Sequence, residues 1–277
     1  MTHSDETLNG VIAYYGNLSN EQARLSDAWG QIEYVRTLRI IRRYLKRPPA
    51  LVLDIGGAAG RYACWLAREG YEVHLVDPVP LHIQQAQMAS AAQPKTPLAS
   101  CTIGDARQLE FEDEIADAVL LMGPLYHLVE ASDRRQALAE ACRVLKPGGR
   151  VFAVGISKFA SSIDGLASGY FQDPAFREIM LRDLADGQHR NPAQKRGYFT
   201  TAFFHHPAEL ADEVARAGFR KTALLAIEGM SYLVQDLVGL WGNEDLREFV
   251  LDLIGKLEGE PSLIGASPHL MCVAEKP

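Results

Sequence analysis

The stretch LVLDIGGAAGRYACWLA, residues 51–67, decides the fold. An apolar run reaches Asp54, a loop with three glycines and two alanines follows, and a helical pattern begins after Gly60. A strand, a glycine-rich loop and a helix in this order present backbone N–H groups to a nucleotide-like ligand. The stretch therefore predicts the first strand–loop–helix unit of an α/β fold. It leaves the ligand open between NAD, a phosphate and another nucleotide-like molecule.

Short apolar runs alternate with helical patterns along the rest of the chain. The predicted strands are continuously apolar, which is typical of a parallel sheet buried between helices. Strand, helix and strand at this pace indicate right-handed crossovers and a doubly wound α/β sheet. We expect seven mostly parallel strands, at 51–55, 71–77, 100–105, 116–123, 150–156, 221–229 and 269–277.

The organisation predicted around this sheet is a single domain with two additions. Apolar residues at helical spacing predict N-terminal helices, which end at Pro48 and Pro49. After the fifth strand the alternation stops, and the polar stretch that follows contains no clear strand. We expect an N-terminal helical lid at 1–49, a cofactor-binding core at 50–157, a substrate-lid insertion at 158–205 and a C-terminal completion of the sheet at 206–277.

Composition and charge restrict the partners of the chain. Its net charge is −7 and it has no Lys/Arg-rich run, which argues against a nucleic-acid partner because binding a polyanion needs a basic patch. The four cysteines form no CxxC pair and no metal-ligand spacing, so no metal is predicted. A secretory-signal pattern and an apolar run of roughly 20 residues are both missing from the sequence. We expect a cytoplasmic protein without a membrane partner, and the sequence leaves its oligomeric state open.

The spacing within the glycine-rich loop discriminates between the ligands. The NAD fingerprint G-x-G-x-x-G needs glycines at fixed offsets, whereas Gly56, Ala58 and Gly60 form G-x-A-x-G. An NAD loop also directs amides at a pyrophosphate, and an acid just before it, such as Asp54, opposes that anion. A P-loop is excluded because no Lys-Ser/Thr follows the glycines. A ligand with a positive charge near the loop fits better.

Three acids, Asp54, Asp77 and Asp105, fall at the ends of predicted strands on one edge of the sheet. The ligand crevice of a parallel α/β sheet lies at this edge. S-adenosylmethionine (SAM) suits the acids, because it carries a sulfonium, an α-ammonium and a carboxylate but no phosphate. The loop amides can bind its carboxylate, while the three acids in turn favour its ammonium, its ribose hydroxyls and its adenine amino group. The structural alternatives for the acids are a strand-end cap, a turn and a helix N-cap.

Five ordered motifs over about 50–156 resemble those of the class I (Rossmann-like) SAM-dependent methyltransferases: VLDIGGAAG, HLVDP, IGDARQL, DAVLLMGPLYHL and LAEACRVLKPGG. The resemblance implies SAM as cofactor, S-adenosylhomocysteine (SAH) as product, and a small-molecule branch of the family. Ala58 replaces a usual glycine, and it can keep its N–H available if its φ stays negative. The implied cofactor-binding residues are Asp54, Gly56, Gly57, Ala58, Gly60, Tyr62, Asp77, Pro78, Val79, Asp105, Ala106, Met122 and Gly123.

The methyl acceptor is expected near Tyr126 and His127, which follow the fourth strand. His127 is the predicted general base, because an unperturbed imidazole titrates near neutrality. Tyr126 either contacts the substrate or packs on the adenosine, and the arginines suit an anionic or carboxylate-bearing acceptor. The predicted substrate-binding residues, each with helix packing or a surface role as the alternative, are Tyr15, Arg24, Tyr126, His189, Arg190, Tyr198, His205 and His206.

The predicted function is transfer of a methyl group from SAM to a small molecule, with O- or N-methylation favoured. In an in-line displacement, positioning of the two reactants supplies most of the rate. A general base is needed only where the nucleophile must lose a proton. The alternatives are a methyltransferase of RNA or protein, a protein that binds SAM without catalysis, and an NAD-dependent enzyme.

Overall fold

A nine-stranded sheet with helices on both faces forms the centre of the computed structural model, which describes residues 3–17, 25, 27–193, 195 and 197–277. The strands are β1 Leu51–Ile55, β2 Glu72–Asp77, β3 Ser100–Ile103, β4 Ala116–Leu121, β5 Leu145–Ser157, β6 Gln188–His189, β7 Ala202–His205, β8 Arg220–Ala226 and β9 His269–Glu275. The α-helices are α1 His3–Asn17, α2 Ala28–Tyr44, α3 Arg61–Arg68, α4 Pro80–Ala91, α5 Pro124–His127, α6 Ala131–Val144, α7 Ala160–Ala167, α8 Pro174–Asp186, α9 Pro207–Arg216, α10 Leu237–Gly242 and α11 Glu244–Leu257.

The first five strands form the parallel part of the sheet in the order β3-β2-β1-β4-β5. β1 lies between β2 and β4, so the order reverses beside it. A crevice opens at such a reversal, at the carboxyl ends of the strands. The observed order confirms the predicted doubly wound α/β fold and places the glycine-rich loop at the crevice.

Both faces of the parallel strands are buried, as their continuous apolar sequences predict. Val52 and Leu120 belong to the core under one face, whereas Leu53, Val119 and Leu121 belong to the core under the other. Successive side chains of a strand point to opposite faces, so each apolar run serves both cores. Because both faces of these strands are packed, the carboxyl ends of the strands, where the crevice opens, are held in place.

The C-terminal part of the chain completes the sheet with an antiparallel pair. β9 runs antiparallel to β5, from the pair Arg150–Glu275 to the pair Ile156–His269. β8 then pairs antiparallel with the other edge of β9. The predicted sixth and seventh strands are therefore β8 and β9, and the start of β9 lies at the crevice edge beside the end of β5.

The expected strand count of seven, and the absence of strands from residues 158–205, are wrong. β7 pairs parallel with the end of β5, and the short β6 pairs antiparallel with β7. β6 has only two residues, Gln188 and His189, which cannot show a period of two. In the same segment α7, α8 and β6 meet at a buried cluster, where the Ser161 hydroxyl and His189 Nδ1 donate to Asp183 at 2.5 and 2.8 Å.

The two N-terminal helices lie over the crevice side of the sheet. On α1, Val11 and Tyr15 pack against Val79, which follows β2. On α2, the buried Arg36 side chain donates to the Ile227 carbonyl oxygen and pairs with Glu258. Among the described residues, none of the helices combines the length and the apolar character needed to cross a membrane.

Candidate active site

A cavity of about 520 Å³ opens at the carboxyl ends of β1, β2 and β4. It brings together the residues that the five motifs predict for the cofactor, together with three that are predicted for the acceptor side. The predicted residues that line it are Asp54, Gly56, Gly57, Ala58, Gly60, Tyr62, Asp77, Pro78, Val79, Asp105, Ala106, Met122, Gly123, Tyr15, Tyr126 and His127.

The loop between β1 and α3 is shaped by a close approach of two backbone segments. Gly56 has a φ of +73°, and a Cβ there would lie 2.6 Å from Cδ of Pro124, the first residue of α5. Only glycine fits that contact without moving the acceptor-side turn. Ala58 has a φ of 47°, so the expectation of a negative φ is wrong. Its N–H donates to Asp77 Oδ2 at 2.9 Å, which stabilises this left-handed residue.

Asp54 is a buried acid without a full set of partners. The side chain is 1% exposed, and its Oδ2 has no hydrogen-bond partner among the described residues. Burial and the nearby charge of Asp77 raise the pKa of Asp54 to about 7. An unpaired carboxylate oxygen that lines a cavity is suited to an ammonium or another donor of the ligand. The position therefore fits the α-ammonium group of SAM.

Asp77 organises the wall next to Asp54. Besides Ala58, its carboxylate accepts from the Val79 N–H at 2.9 Å and contacts His82 Nδ1 at 2.9 Å. A carboxylate offers about four lone-pair positions, so these bonds leave room for a ribose hydroxyl. No sequence motif pointed to His82, because it lies inside an ordinary helical pattern. The contact of Asp77 with the ribose stays a prediction. Asp77 also has a second role, because its bond with Ala58 shapes the loop.

Asp105 is paired within the protein. Its carboxylate accepts from Arg107 Nη2 at 2.6 Å and from the Arg107 N–H at 2.8 Å. Arg107 also donates to Asp133 at 3.1 Å. These bonds raise the pKa of Arg107 and hold Asp105 at the mouth of the cavity. The predicted contact with the adenine amino group therefore has to share Asp105 with an arginine that the sequence analysis did not include.

The predicted acceptor-side residues Tyr126 and His127 lie on the single turn of α5. His127 Nε2 and the Tyr15 hydroxyl of α1 are hydrogen-bonded at 2.9 Å. The rings of Tyr126 and Phe199 lie 6.4 Å apart, so the segment after β6 also approaches this turn. The N-terminal helix and the insertion thus both reach the acceptor side, as the predicted lid arrangement requires.

Three predicted substrate residues form hydrogen bonds within the 158–205 segment instead. His189 is 2% exposed, and its ring nitrogens contact Asp183 and the Tyr198 carbonyl oxygen. The Tyr198 hydroxyl donates to Asp173 at 2.7 Å, which raises the pKa of Tyr198 to about 12. Arg190 donates to the His189 carbonyl oxygen at 2.8 Å. None of the three lines the cavity, so their positions do not support direct substrate binding.

His205 and His206 are also placed away from the cavity. His205 is fully buried and contacts Glu213, which pairs with the buried Arg134. His206 caps α9, where its Nδ1 accepts from the Ala208 N–H. Polar residues in a loop-like sequence do not reveal whether they face a ligand or cap a helix. The remaining candidate, Arg24, lies outside the described residues.

One wall of the cavity was missed by the sequence analysis. Glu33 of α2 and His269 of β9 line the cavity, and the buried Glu228 lies behind His269. His269 Nδ1 is 2.5 Å from Glu228 Oε1 and 4.0 Å from Glu33 Oε2. The three residues come from distant parts of the chain, so no local motif contains them. The only sequence signal is that His269 begins a predicted strand at the same edge as the acids.

Comparisons with known proteins agree with this geometry. A methyltransferase domain family model matches residues 53–153. An uncharacterised methyltransferase of Mycobacterium tuberculosis is 35% identical over 100 residues, which are 36% of this chain and 37% of that protein. The match thus spans little more than a third of that relative. A ubiquinone/menaquinone biosynthesis C-methyltransferase of Laribacter hongkongensis is 30% identical over 184 residues, 63% of this chain and 69% of that protein.

Solved structures show the same fold. A SAM-dependent methyltransferase of Methanosarcina mazei has a TM-score of 0.58 at 18% identity, and the match covers 86% of this chain and 96% of that one. The ordered motifs, the strand order and the similarity over most of a named relative agree. The chain therefore belongs to the class I SAM-dependent methyltransferase family, whose cofactor is SAM.

Proposed function

We propose that this protein transfers a methyl group from SAM to a small-molecule acceptor by in-line displacement. The observation that carries the proposal is that one cavity holds both halves of the reaction. Asp54 and the glycine-rich loop line the same cavity as Tyr126, His127 and His269. When bound, SAM supplies an activated methyl group, so the protein needs mainly to hold the reactants in line.

The walls of the cavity have separate tasks in this proposal. The glycine-rich loop holds the methionine end of the cofactor, Asp54 binds its ammonium, and Asp77 accepts from its ribose hydroxyls. His127 and Tyr126 face the acceptor. Because Tyr15 of α1 is bonded to His127, closure of the N-terminal helix over α5 also excludes water from the reacting atoms. The proposed role of His127 as general base rests on its place beside the cavity.

A small acceptor is favoured by the enclosure of the site. Residues of α1, α2 and β9 line the cavity, and Phe199 of the insertion has its ring 6.4 Å from that of Tyr126, so three parts of the chain surround the acceptor side. The Laribacter relative acts in ubiquinone/menaquinone biosynthesis, which also supports a small acceptor. The net charge of −7 argues against RNA as the substrate. We favour O- or N-methylation, with C-methylation as the alternative that this relative raises.

Calorimetry with SAM, SAH and NAD tests the cofactor assignment. We expect binding of SAM and SAH and no response to NAD. Asp77→Asn should weaken SAH binding, whereas Asp245→Asn, at an exposed site in the first turn of α11, should not. Tight NAD binding without a response to SAM or SAH would overturn the proposal. Filter binding with methyl-labelled SAM against total RNA and metabolite pools then separates the acceptor classes.

A further inference from the structure

The acceptor wall contains a compact group of two carboxylates and one imidazole: Glu33, Glu228 and His269. Glu228 is 5% exposed, and its Oε2 accepts from the His269 N–H and the Ser267 hydroxyl, both at 3.0 Å. Its Oε1 accepts from His269 Nδ1 at 2.5 Å. Because the carboxylate only accepts, Nδ1 must carry the proton. In the neutral form of the ring, Nε2 is then the basic nitrogen, and His269 lines the cavity.

The separation of these groups fits a hydrogen-bonded dyad better than a metal site. Two ligands of one ion at about 2.0–2.2 Å stand roughly 3 Å or more apart. The Nδ1–Oε1 distance of 2.5 Å is shorter than that. Burial alone would raise the pKa of Glu228. The positive charge of His269 in its protonated form, together with the hydrogen bonds from His269, outweighs the effect of burial and lowers this pKa. Glu228 therefore acts as a fixed anion that orients the imidazole.

Glu33 completes the wall from the opposite side. Its Oε2 lies 4.0 Å from His269 Nδ1, and it lines the cavity itself. One helical turn further on, the buried Arg36 donates to the Ile227 carbonyl oxygen at 3.3 Å and pairs with Glu258. These contacts fix α2 next to the end of β8. The Tyr126 ring stands 6.4 Å from that of His269, so an aromatic ring lies next to the imidazole.

A negative wall beside an aromatic ring recognises a cation. A carboxylate binds an ammonium through charge-assisted hydrogen bonds, and an aromatic face attracts it through its quadrupole. An ammonium has no lone pair, so it must lose a proton before it can attack a methyl group. His269 is the basic group on this wall that can take that proton. Neighbouring side chains can therefore bind the ammonium form of an amine acceptor and remove one of its protons.

We propose that Glu33 and the Glu228–His269 dyad bind and deprotonate an amine acceptor, so that His269 replaces His127 as the general base and the reaction is an N-methylation. The protonated amine gives one N–H proton to His269 Nε2, which becomes imidazolium. The nitrogen lone pair then forms the C–N bond, and the C–S bond breaks with its electron pair to sulfur, giving SAH and the methylated ammonium. The imidazolium returns its proton to solvent. This inference rests on the proposed methyltransferase function.

The groups that face His269 determine how the rate depends on pH. Among the described residues, these groups include Glu228, which follows β8, Glu33 on α2, and Tyr126 on α5. With His269 in place, N-methylation should proceed at neutral pH. His269→Asn keeps a side-chain N–H for Glu228 but removes the second ring nitrogen. The rate of that variant should rise only toward the alkaline range where the amine itself deprotonates.

Two probes that differ in charge test recognition. Phenethylamine is cationic at neutral pH, and phenethyl alcohol is its neutral counterpart. Titrated into the SAH complex, phenethylamine should bind more tightly than the alcohol. Glu33→Gln should weaken amine binding roughly 10- to 100-fold, as expected for a lost bond to a charged group. Glu244→Gln, at an exposed site of the first turn of α11, is the matched control and should bind like the unmodified protein.

Methyl transfer from labelled SAM to phenethylamine tests the dyad. His269→Asn should bind SAH and phenethylamine within about threefold of the unmodified protein, while its turnover at neutral pH falls at least roughly 100-fold, the scale of general-base catalysis. Equal affinity for amine and alcohol, or amine binding without methyl transfer, would overturn the inference while leaving the proposed function in place. Failure of SAH to bind would instead refute the proposed function.

Discussion

The buried acid Asp54 makes an unusual prediction: its conversion to asparagine should stabilise the protein and weaken the cofactor complex at the same time. Asp54 is 1% exposed, its Oδ2 is unpaired among the described residues, and its pKa is raised to about 7. Above pH 7 the folded protein without cofactor therefore holds a buried, incompletely paired negative charge. Asparagine has nearly the same shape and no charge, so it removes that penalty.

The size and direction of the effect follow from the pKa. Folding raises the pKa of the Asp54 carboxyl from 3.8 to about 7. The free energy of unfolding of the protein therefore falls by about 4 kcal/mol between acidic and alkaline pH. Below about pH 4 the group is protonated in both states and has no effect. Stability falls as the pH rises from about 4 to about 7, because the folded state binds the proton more tightly. Above pH 7 the loss is complete.

Denaturation at two pH values measures this loss. At pH 8, Asp54→Asn should be more stable than the unmodified protein by about 2–4 kcal/mol, the lower value allowing for an imperfectly bonded amide. For a chain of this size that corresponds to a Tm higher by roughly 4–8 °C. At pH 5 most of the difference should disappear. All measurements are made without SAM, and urea titration provides an independent free energy of unfolding.

The same substitution should have the opposite effect on cofactor binding. The loss of one charged partner of the ammonium should weaken SAM binding by about 1.5–3 kcal/mol. In the unmodified protein, SAM affinity should increase from pH 6 to pH 8 as Asp54 ionises, with proton release detected by calorimetry in buffers of different ionisation enthalpy. A stability difference that is the same at pH 5 and pH 8, or unchanged SAM affinity in the variant, would refute the reasoning.

Three further perturbations test other parts of the site. Asp77→Ala should weaken SAH binding by about 1–3 kcal/mol in calorimetry, and an unchanged Kd would remove Asp77 from the ribose role. Gly56→Ala should reduce SAH affinity and lower the Tm, because its Cβ would lie 2.6 Å from Pro124 Cδ at a φ of +73°; retention of both properties would mean that the loop and α5 separate easily. Burial raises the pKa of Glu213, but hydrogen bonds from His205 and Arg134 outweigh it and hold the value at about 2. Glu213→Gln should therefore cost about 3–5 kcal/mol at pH 7 in urea titrations, and the difference should shrink as the pH falls from about 4.5 to 2.

The sequence predicted a set of residues that the structure brings to one cavity, because their positions follow from local strand–loop–helix patterns. Asp54, Asp77 and Asp105 each end a strand, and parallel strands bring their carboxyl ends to one edge without any further information. The glycine positions follow from the same geometry. The sequence could not show the partners of these acids: His82 and Arg107 lie in ordinary patterns, and their contacts depend on side-chain packing.

The residues of the acceptor side were predicted poorly, because tertiary packing decides which of these side chains face the cavity. Histidine, arginine and aromatic residues in the 158–205 segment resemble a binding loop in composition. In the structure, His189 and Tyr198 bond instead to Asp183 and Asp173 and hold the segment together. The wall that does face the cavity joins an N-terminal helix to the start of the last strand. A single sequence contains no periodicity or motif that links such positions.

The distribution of charge in the cavity connects the two walls to the choice of acceptor. During methyl transfer to an amine nitrogen, positive charge leaves the sulfur beside the Asp54 wall and appears on nitrogen beside Glu33 and Glu228. Fixed carboxylates at the place where charge develops stabilise the transition state more than the reactants. A hydroxyl acceptor would instead have to lose its proton next to the same carboxylates, and their negative charge would oppose formation of the alkoxide. This charge argument is the reason why we propose N- rather than O-methylation, and it does not depend on the shape of the acceptor.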